Sequence, residues 1–300
     1  MSLAVDGINL IHEKMLVILK KIDDLCQKNN IPYFLDGGSC IGAIRHKGFI
    51  PWDDDIDISL FKEDYLRLLE LIKNDKDFYL YFDDFSHHCC SFVYCKSDIW
   101  QSVNDSYFPN LYPVKLDIRP INRVKNTPEA ISENYLYRNI AEYLLFNKSE
   151  LPVEEIILKI QEFGGKDNFL NFYNKEYGIL PKDDNVVLAH PYLTYSKPVT
   201  FPLEFISSTR RVPFENIEVS IPKTDEMLRY YYGDYMVLPP ENEQISYSKA
   251  VYRVSRGIQN YLCNLYQKVH MKQLTFIDKL ILRLLMFLFS KKVKNVEVSK

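Results

Sequence analysis

Between Tyr33 and Leu60 the sequence reads YFLDGGSCIGAIRHKGFIPWDDDIDISL. Asp53, Asp54, Asp55 and Asp57 fall within five positions, and apolar residues follow at once. Along a strand, residues two apart share a face at a spacing of about 6.5–7 Å. Asp55 and Asp57 therefore point the same way, with Ile56 and Ile58 packing behind, and Asp53 joins them if the strand begins early. Carboxylates this close either raise each other's pKa or share a cation. Hard oxygen ligands with no nearby His or Cys favour Mg²⁺ or Mn²⁺ over zinc. The bland alternative is a solvated acidic loop, against which Trp52 and the apolar strand both argue.

Just upstream, Gly37 and Gly38 form a turn, and Ser39 is placed to cap a helix through about residue 46. Glycines allow close backbone approach to a ligand, and a helix N-terminus favours phosphate. Arg45 and Lys47 lie between turn and aspartates and are candidates to add positive charge. A phosphate cradle next to paired carboxylates is an arrangement for phosphoryl transfer, in which a divalent ion neutralises and orients phosphate oxygens. A third carboxylate is expected from another strand. Asp117 in VKLDIRPI is the candidate: Leu116 and Ile118 flank it and face the other way. It would complete the metal site or take the proton from an attacking hydroxyl. The alternative is a strand-edge aspartate in solvent.

The elements that must position these groups read as α+β. Residues 8–29 have helical apolar spacing at Ile8, Ile11, Met15, Ile18, Ile22 and Leu25. Short strands are expected at 33–35 and 56–61, a helix at 64–73, and mostly β structure over 78–121. Thr127-Pro128-Glu129 starts a helical stretch, with helices at roughly 128–147, 152–163 and 167–177. Strand or loop segments fill 186–222. A short helix at 224–232 ends before Gly233. The expected architecture is a mixed β-sheet with flanking helices, followed by a mainly helical second half. It is organised as one catalytic domain over 1–270, with a helical insertion at about 127–180, and a tail over 271–300.

Composition narrows the function classes. The 300 residues carry a net charge of −3, which argues against nucleic-acid binding through broad electrostatics. The six cysteines contain no CxxC pair, and the opening MSLAVDGINL lacks the pattern of a secretory signal. The thiols are expected to be reduced and the protein cytoplasmic. His87, His88, Cys89 and Cys90 are adjacent, but on a strand they alternate faces and cannot all meet one ion. In the tail, an apolar run too short to span a bilayer is followed by Lys291, Lys292 and Lys294. That pattern suits a helix over 277–294 lying on the inner face of an anionic membrane; the alternative is a helix docked on the protein's own core.

The stretch DGGSCIGAIRHKGFIPWDDDID resembles the signature of the LicD family, whose members include phosphocholine transferases of bacterial surface glycans. It also fits the wider nucleotidyltransferase pattern, here Gly38-Ser39 followed by Asp55-Ile56-Asp57-Ile58. LDIRPIN is similar to the family's third-carboxylate strand. RVPFENIEVSIPKTDEMLRYYYGDYMVLPPE is similar to its closing segment, so the likeness runs from about 30 to 242.

The resemblance implies a nucleotidyltransferase-like fold. It also implies transfer of a phospho-alcohol from a CDP-linked donor, CDP-choline or a CDP-alditol, to a hydroxyl of a glycan or lipid-linked glycan, with CMP leaving. Asp55, Asp57 and Asp117 would be the metal ligands, Asp117 also the general base, and Gly37, Gly38, Ser39, Arg45, Lys47, Trp52 and Asp53 would line the substrate. Members often carry Phe in place of Arg119 and an acid in place of Asn122. Choline as cargo would call for aromatic faces, for which Trp52, Tyr107, Tyr112 and Tyr230–Tyr232 are available. Two other readings stay open: nucleotidyl transfer with release of pyrophosphate, and a catalytically silent scaffold in glycan assembly.

Overall fold

The computed structural model describes residues 7–76, 78–81, 91–95, 99–102, 111–146, 149–181, 185–189, 200–248, 250–254, 261–262, 276–277, 280–281, 284 and 290–295. Helix α1 (Gly7–Lys28) buries Ile8, Ile11, Met15, Ile18 and Ile22, the stripe set by the 3.6-residue period. It ends where Asn30 turns left-handed ahead of Pro32. Strand β1 (Phe34–Leu35) leads into α2 (Gly37–Ile41), which continues as a π-helical turn over Gly42–His46. Strand β2 (Asp57–Phe61) and α3 (Lys62–Lys73) follow, then β3 (Phe78–Tyr81), β4 (Ser91–Cys95), β5 (Ile99–Ser102), β6 (Leu111–Pro113) and β7 (Leu116–Lys125). Helices α4 (Pro128–Phe146), α5 (Val153–Glu162) and α6 (Lys166–Lys175) come next. The remainder is β8 (Val186–Ala189), β9 (Thr200–Pro202), β10 (Thr209–Phe214), β11 (Ile217–Pro222), α7 (Glu226–Tyr232), β12 (Ala250–Val254) and β13 (Ser290–Asn295).

The main sheet has the order β1-β2-β7-β4-β3, extended from β7 through β8 to β9. Only β2 and β7 pair in parallel among its described strands. A parallel pair needs a crossover, and α3 with strands β3 to β6 supplies it. Both strands of the parallel pair are almost wholly buried, so the polar residues on them are placed there at a desolvation cost. Helices α1 and α3 pack on this sheet. A second sheet, β13-β12-β5-β6, lies against α1.

The α4–α6 segment has a core of its own, in which Tyr137, Phe169 and Tyr173 pack with Ile140 and Ile156. These three helices fall where the sequence places helices. Beyond them strand is the commoner regular structure among the described residues, as β8 to β13, and α7 is the longest helix described there. Short runs such as VVLA and TRRVPF are too brief to show a period; VVLA is decided by pairing with the distant β7, and TRRVPF by the hairpin it forms with β11.

The tail also differs from expectation. Residues 290–295 form β13, antiparallel to β12, so the basic run is an edge strand of a sheet and not the end of a helix. The described residues just upstream, at 276–277, 280–281 and 284, are helical. No helix among the described residues is long and apolar enough to cross a membrane. The His87–Cys90 cluster and Tyr107 lie outside the described residues.

Candidate active site

Parallel register sets Asp57 directly beside Asp117, and Ser59 beside Arg119. The backbone locks this alignment, since the Asp117 N–H donates to the Ile56 carbonyl at 2.9 Å. Arg119 Nη2 stands 2.7 Å from Asp57 Oδ1 and 3.9 Å from Asp117 Oδ2. The two carboxylates therefore flank one guanidinium nitrogen and can be no farther apart than those two contacts together. Lys115 Nζ pairs with Asp117 Oδ1. The Asp53 and Asp55 carboxyls lie close enough for Asp55 to push the Asp53 pKa upward.

The glycine turn lies against this group. Gly37 has φ +50, which favours glycine, and a Cβ there would come 3.2 Å from the Tyr232 hydroxyl and 3.8 Å from Asp57 Oδ2. A Cβ on Gly38 would stand 2.7 Å from Asp53 Oδ2, closer than real side chains come. Asp36 caps α2 and ties the turn to β2. Its Oδ1 accepts from the Gly37 N–H at 2.8 Å, its Oδ2 from the Ser59 hydroxyl at 2.5 Å, and its own N–H donates to the Asp57 carbonyl at 3.1 Å. Ser39, expected to be the cap, lies inside the helix, where its hydroxyl accepts from the Asp57 N–H at 2.9 Å. Asp36 displaces it because a carboxylate on the residue just before the helix reaches the first free N–H, that of Gly37. That N–H is therefore already taken and is not open to a phosphate.

The loop carrying the aspartates is pinned from several sides. His12 Nε2 donates to the Asp53 carbonyl at 2.7 Å, and its ring stacks on Phe49 at 4.2 Å. Glu215, in the β10–β11 turn, accepts from the Phe49 N–H at 3.1 Å and donates its own N–H to the Lys47 carbonyl at 2.8 Å. Asp54 turns away from the other carboxylates: it is buried and accepts from the Ser248 N–H. A further pin is steric. A Cβ on Gly42 would meet the Gly48 carbonyl oxygen at 2.5 Å and the Ile50 nitrogen at 3.3 Å, both main chain. Gly42→Ala should accordingly destabilise the protein by about 1–3 kcal/mol, as overpacking against backbone does. Urea unfolding checks this, with a lower midpoint at unchanged slope as the expected result.

Asp53 and Asp57 are held well above the ordinary carboxylate range, and burial is the main cause in each. For Asp53, the Asp55 and Asp57 charges add to it. For Asp57, Arg119 pulls the other way while Asp55 and Asp117 push upward. Asp55 keeps an exposed edge while protein closes around the rest of its carboxyl. That enclosure raises its pKa first, Asp117 raises it further, and Lys115 and Arg119 oppose.

The other residues singled out in the sequence fall differently. Arg45 Nη1 donates to the carbonyls of Tyr235 at 2.7 Å and Val237 at 3.3 Å, so it fastens the segment after α7 and does not reach toward the carboxylates. Lys47 is exposed, with a left-handed backbone that ends the π-turn. Trp52 is half-buried against the main core and stands edge-on to His46. Two participants, Asp36 and Lys115, are not singled out by composition or motif, while Arg119 stands out in the sequence only as a departure from the family pattern and Tyr232 only within a tyrosine cluster. The alternation Lys115-x-Asp117-x-Arg119 was a legible signal, because period two puts all three on one face.

As the side chains stand, no three His, Cys, Asp or Glu residues among the described ones are drawn together closely enough to hold a metal ion. The cationic groups of Lys115 and Arg119 stand against the carboxylates instead. The donor set nevertheless fits a hard divalent ion: it is all oxygen, and Asp57 Oδ1 is buried without an aligned hydrogen bond, although Arg119 is close.

The family model described as LicD/FKTN/FKRP, nucleotidyltransferase domain, matches residues 30–160, which include the glycine turn, all four clustered aspartates and Asp117. The lipopolysaccharide cholinephosphotransferase LicD of Haemophilus influenzae is 27% identical over 256 residues, covering 78% of this chain and 94% of that protein. The ribitol 5-phosphate transferase FKRP of Homo sapiens is 50% identical over 34 residues, which is 11% of this chain and 7% of that protein. The stretch of this chain that carries the glycines, the paired strands β2 and β7 and the carboxylates is thus similar to the LicD/FKTN/FKRP nucleotidyltransferase domain.

Proposed function

We propose that this protein is a metal-dependent transferase. It moves a phospho-alcohol, phosphocholine in the first place, from a CDP-linked donor to a hydroxyl of a cell-surface glycan, with CMP leaving. The observation that carries the reading is the parallel pairing of Asp57 with Asp117 beneath the Gly37–Gly38 turn. The 27%-identical relative named as a cholinephosphotransferase supports the choice of cargo.

In this reading Asp55 and Asp57, joined by Asp117, hold Mg²⁺ or Mn²⁺. When bound, the ion neutralises pyrophosphate oxygens and orients them for in-line attack. Asp117, the carboxylate from the second strand, takes the proton of the acceptor hydroxyl. Lys115 beside it keeps that carboxylate paired until substrate arrives. The glycine turn lets the donor come close to the carboxylate face without a side chain intervening. Incubating the protein with CDP-choline, CDP-ribitol and CDP-glycerol in Mg²⁺ should release CMP from one of them. Pyrophosphate released from a nucleoside triphosphate instead would replace this reading with nucleotidyl transfer. Absence of both products would favour a scaffold.

A lipid-linked acceptor suits the C-terminal segment, in which Phe276, Ile277, Leu280 and Leu284 are all exposed. Lysines at 291, 292 and 294 follow in sequence. The pair Ile277→Asp and Leu280→Asp should lower co-sedimentation with vesicles containing anionic lipid by about tenfold, since each apolar side chain withdrawn from the interface costs more than about 1 kcal/mol. Truncation before residue 275 is a poorer test, because it also removes β13 from its sheet. Unchanged sedimentation of the double variant would remove the membrane from the proposal.

A further inference from the structure

On β7, Lys115, Asp117 and Arg119 share one face, and on β2, Asp57 and Ser59 lie beside Asp117 and Arg119. Arg119 thereby stands between two carboxylates that a two-ion site would use as bridges. Such sites place their ions about 3.5–4 Å apart. A guanidinium already 2.7 Å from Asp57 Oδ1 fills the volume that a second ion would need. It cannot be emptied by deprotonation, since arginine stays charged in proteins.

We infer that Arg119 is a built-in cation that takes the place of a second metal ion. The site then binds a single divalent ion, and the guanidinium, turned from Asp57 toward the donor, grips a phosphate oxygen. The planar fork of arginine suits that contact, as it pairs two-pronged with phosphate oxygens. The inference rests on the phosphoryl-transfer reading above and adds to it the number of ions and the group that substitutes for the missing one.

The test uses the full-length chain and Mn²⁺ as the probe, followed by electron paramagnetic resonance, with Arg119→Leu and Arg119→Lys beside the unaltered protein. The unaltered protein should take one Mn²⁺ per chain. Arg119→Leu should take a second, or bind the first at least about tenfold more tightly, the scale expected for removing a unit charge this close in a partly screened site. Arg119→Lys should resemble the unaltered protein. At saturating Mn²⁺, inorganic pyrophosphate should bind Arg119→Leu about tenfold more weakly and Arg119→Lys less so. Arg119→Gln repeats the measurement if the leucine variant fails to fold by circular dichroism. Two ions per unaltered chain would overturn the inference. So would equal stoichiometry and affinity in Arg119→Leu, while leaving the metal-dependent reading intact. Mn²⁺ binding by none of the proteins would sink both.

Discussion

Asp57→Asn should reduce transfer from the CDP-linked donor by about a thousandfold or more in kcat/KM, a loss typical of removing a central electrostatic group from a reaction site. The same change should raise the melting temperature of the metal-free protein at neutral pH. Asp57 is buried between Asp55 and Asp117, and its carboxyl is held above the ordinary range in spite of Arg119. A raised folded-state pKa contributes stability that is complete below the unfolded value of 3.8 and is lost as pH rises through the folded value. At pH 7 the ionised form is therefore the costly one, and asparagine removes the charge at nearly constant volume. The gain should be about 2–4 °C and should fade as the pH is lowered toward 4. Thermal melts across that range, with and without Mg²⁺, check the sign. Mg²⁺ should stabilise the unaltered protein and leave Asp57→Asn nearly unmoved. A lower melting temperature for the variant at neutral pH would mean that the Arg119 contact outweighs carboxylate crowding.

Asp117→Asn should lower kcat by about 10²–10⁴, the range for loss of a positioned general base. Asparagine keeps the shape and the β7 register but cannot take a proton. On the same face Ser59, Lys115 and Arg119 are not carboxylates, and Asp57 is assigned to the ion in the proposed reaction. Mn²⁺ affinity should fall by less than tenfold if proton removal is the main task of Asp117. An equal fall in Mn²⁺ affinity and kcat would make it a ligand first. Single-turnover kinetics beside Mn²⁺ titration separates these outcomes.

The site was legible in the sequence to the extent that its groups are close along the chain. Asp57 and Asp117 lie on strands where the sequence expects them, but β2 begins only at Asp57, so Asp53 and Asp55 sit in the loop ahead of it, and Gly37 and Gly38 open α2 instead of preceding it. The long helices follow from apolar spacing, and α1, α3 and α4 to α6 end within about two residues of where the pattern puts them, as helix boundaries usually do. Roles that depend on distant partners were not legible. Arg45 looks like a free positive charge beside a phosphate turn, yet its donors go to carbonyls 190 and 192 residues away. Asp54 is indistinguishable from its neighbours in sequence, yet a main-chain N–H 194 residues away turns it inward.

The sequence by itself determined the chemistry on offer: clustered carboxylates, a pair of glycines ahead of them and a further carboxylate on a second strand, all set by local spacing and residue type. Tertiary structure alone decided what neutralises that charge. The parallel register of β2 on β7 brings Lys115 and Arg119 onto the same face as the aspartates. It also decided that the basic tail segment is an edge strand. Both depend on which strand pairs with which, and pairing is fixed by burial across the whole sheet, a sum that no short stretch of sequence contains.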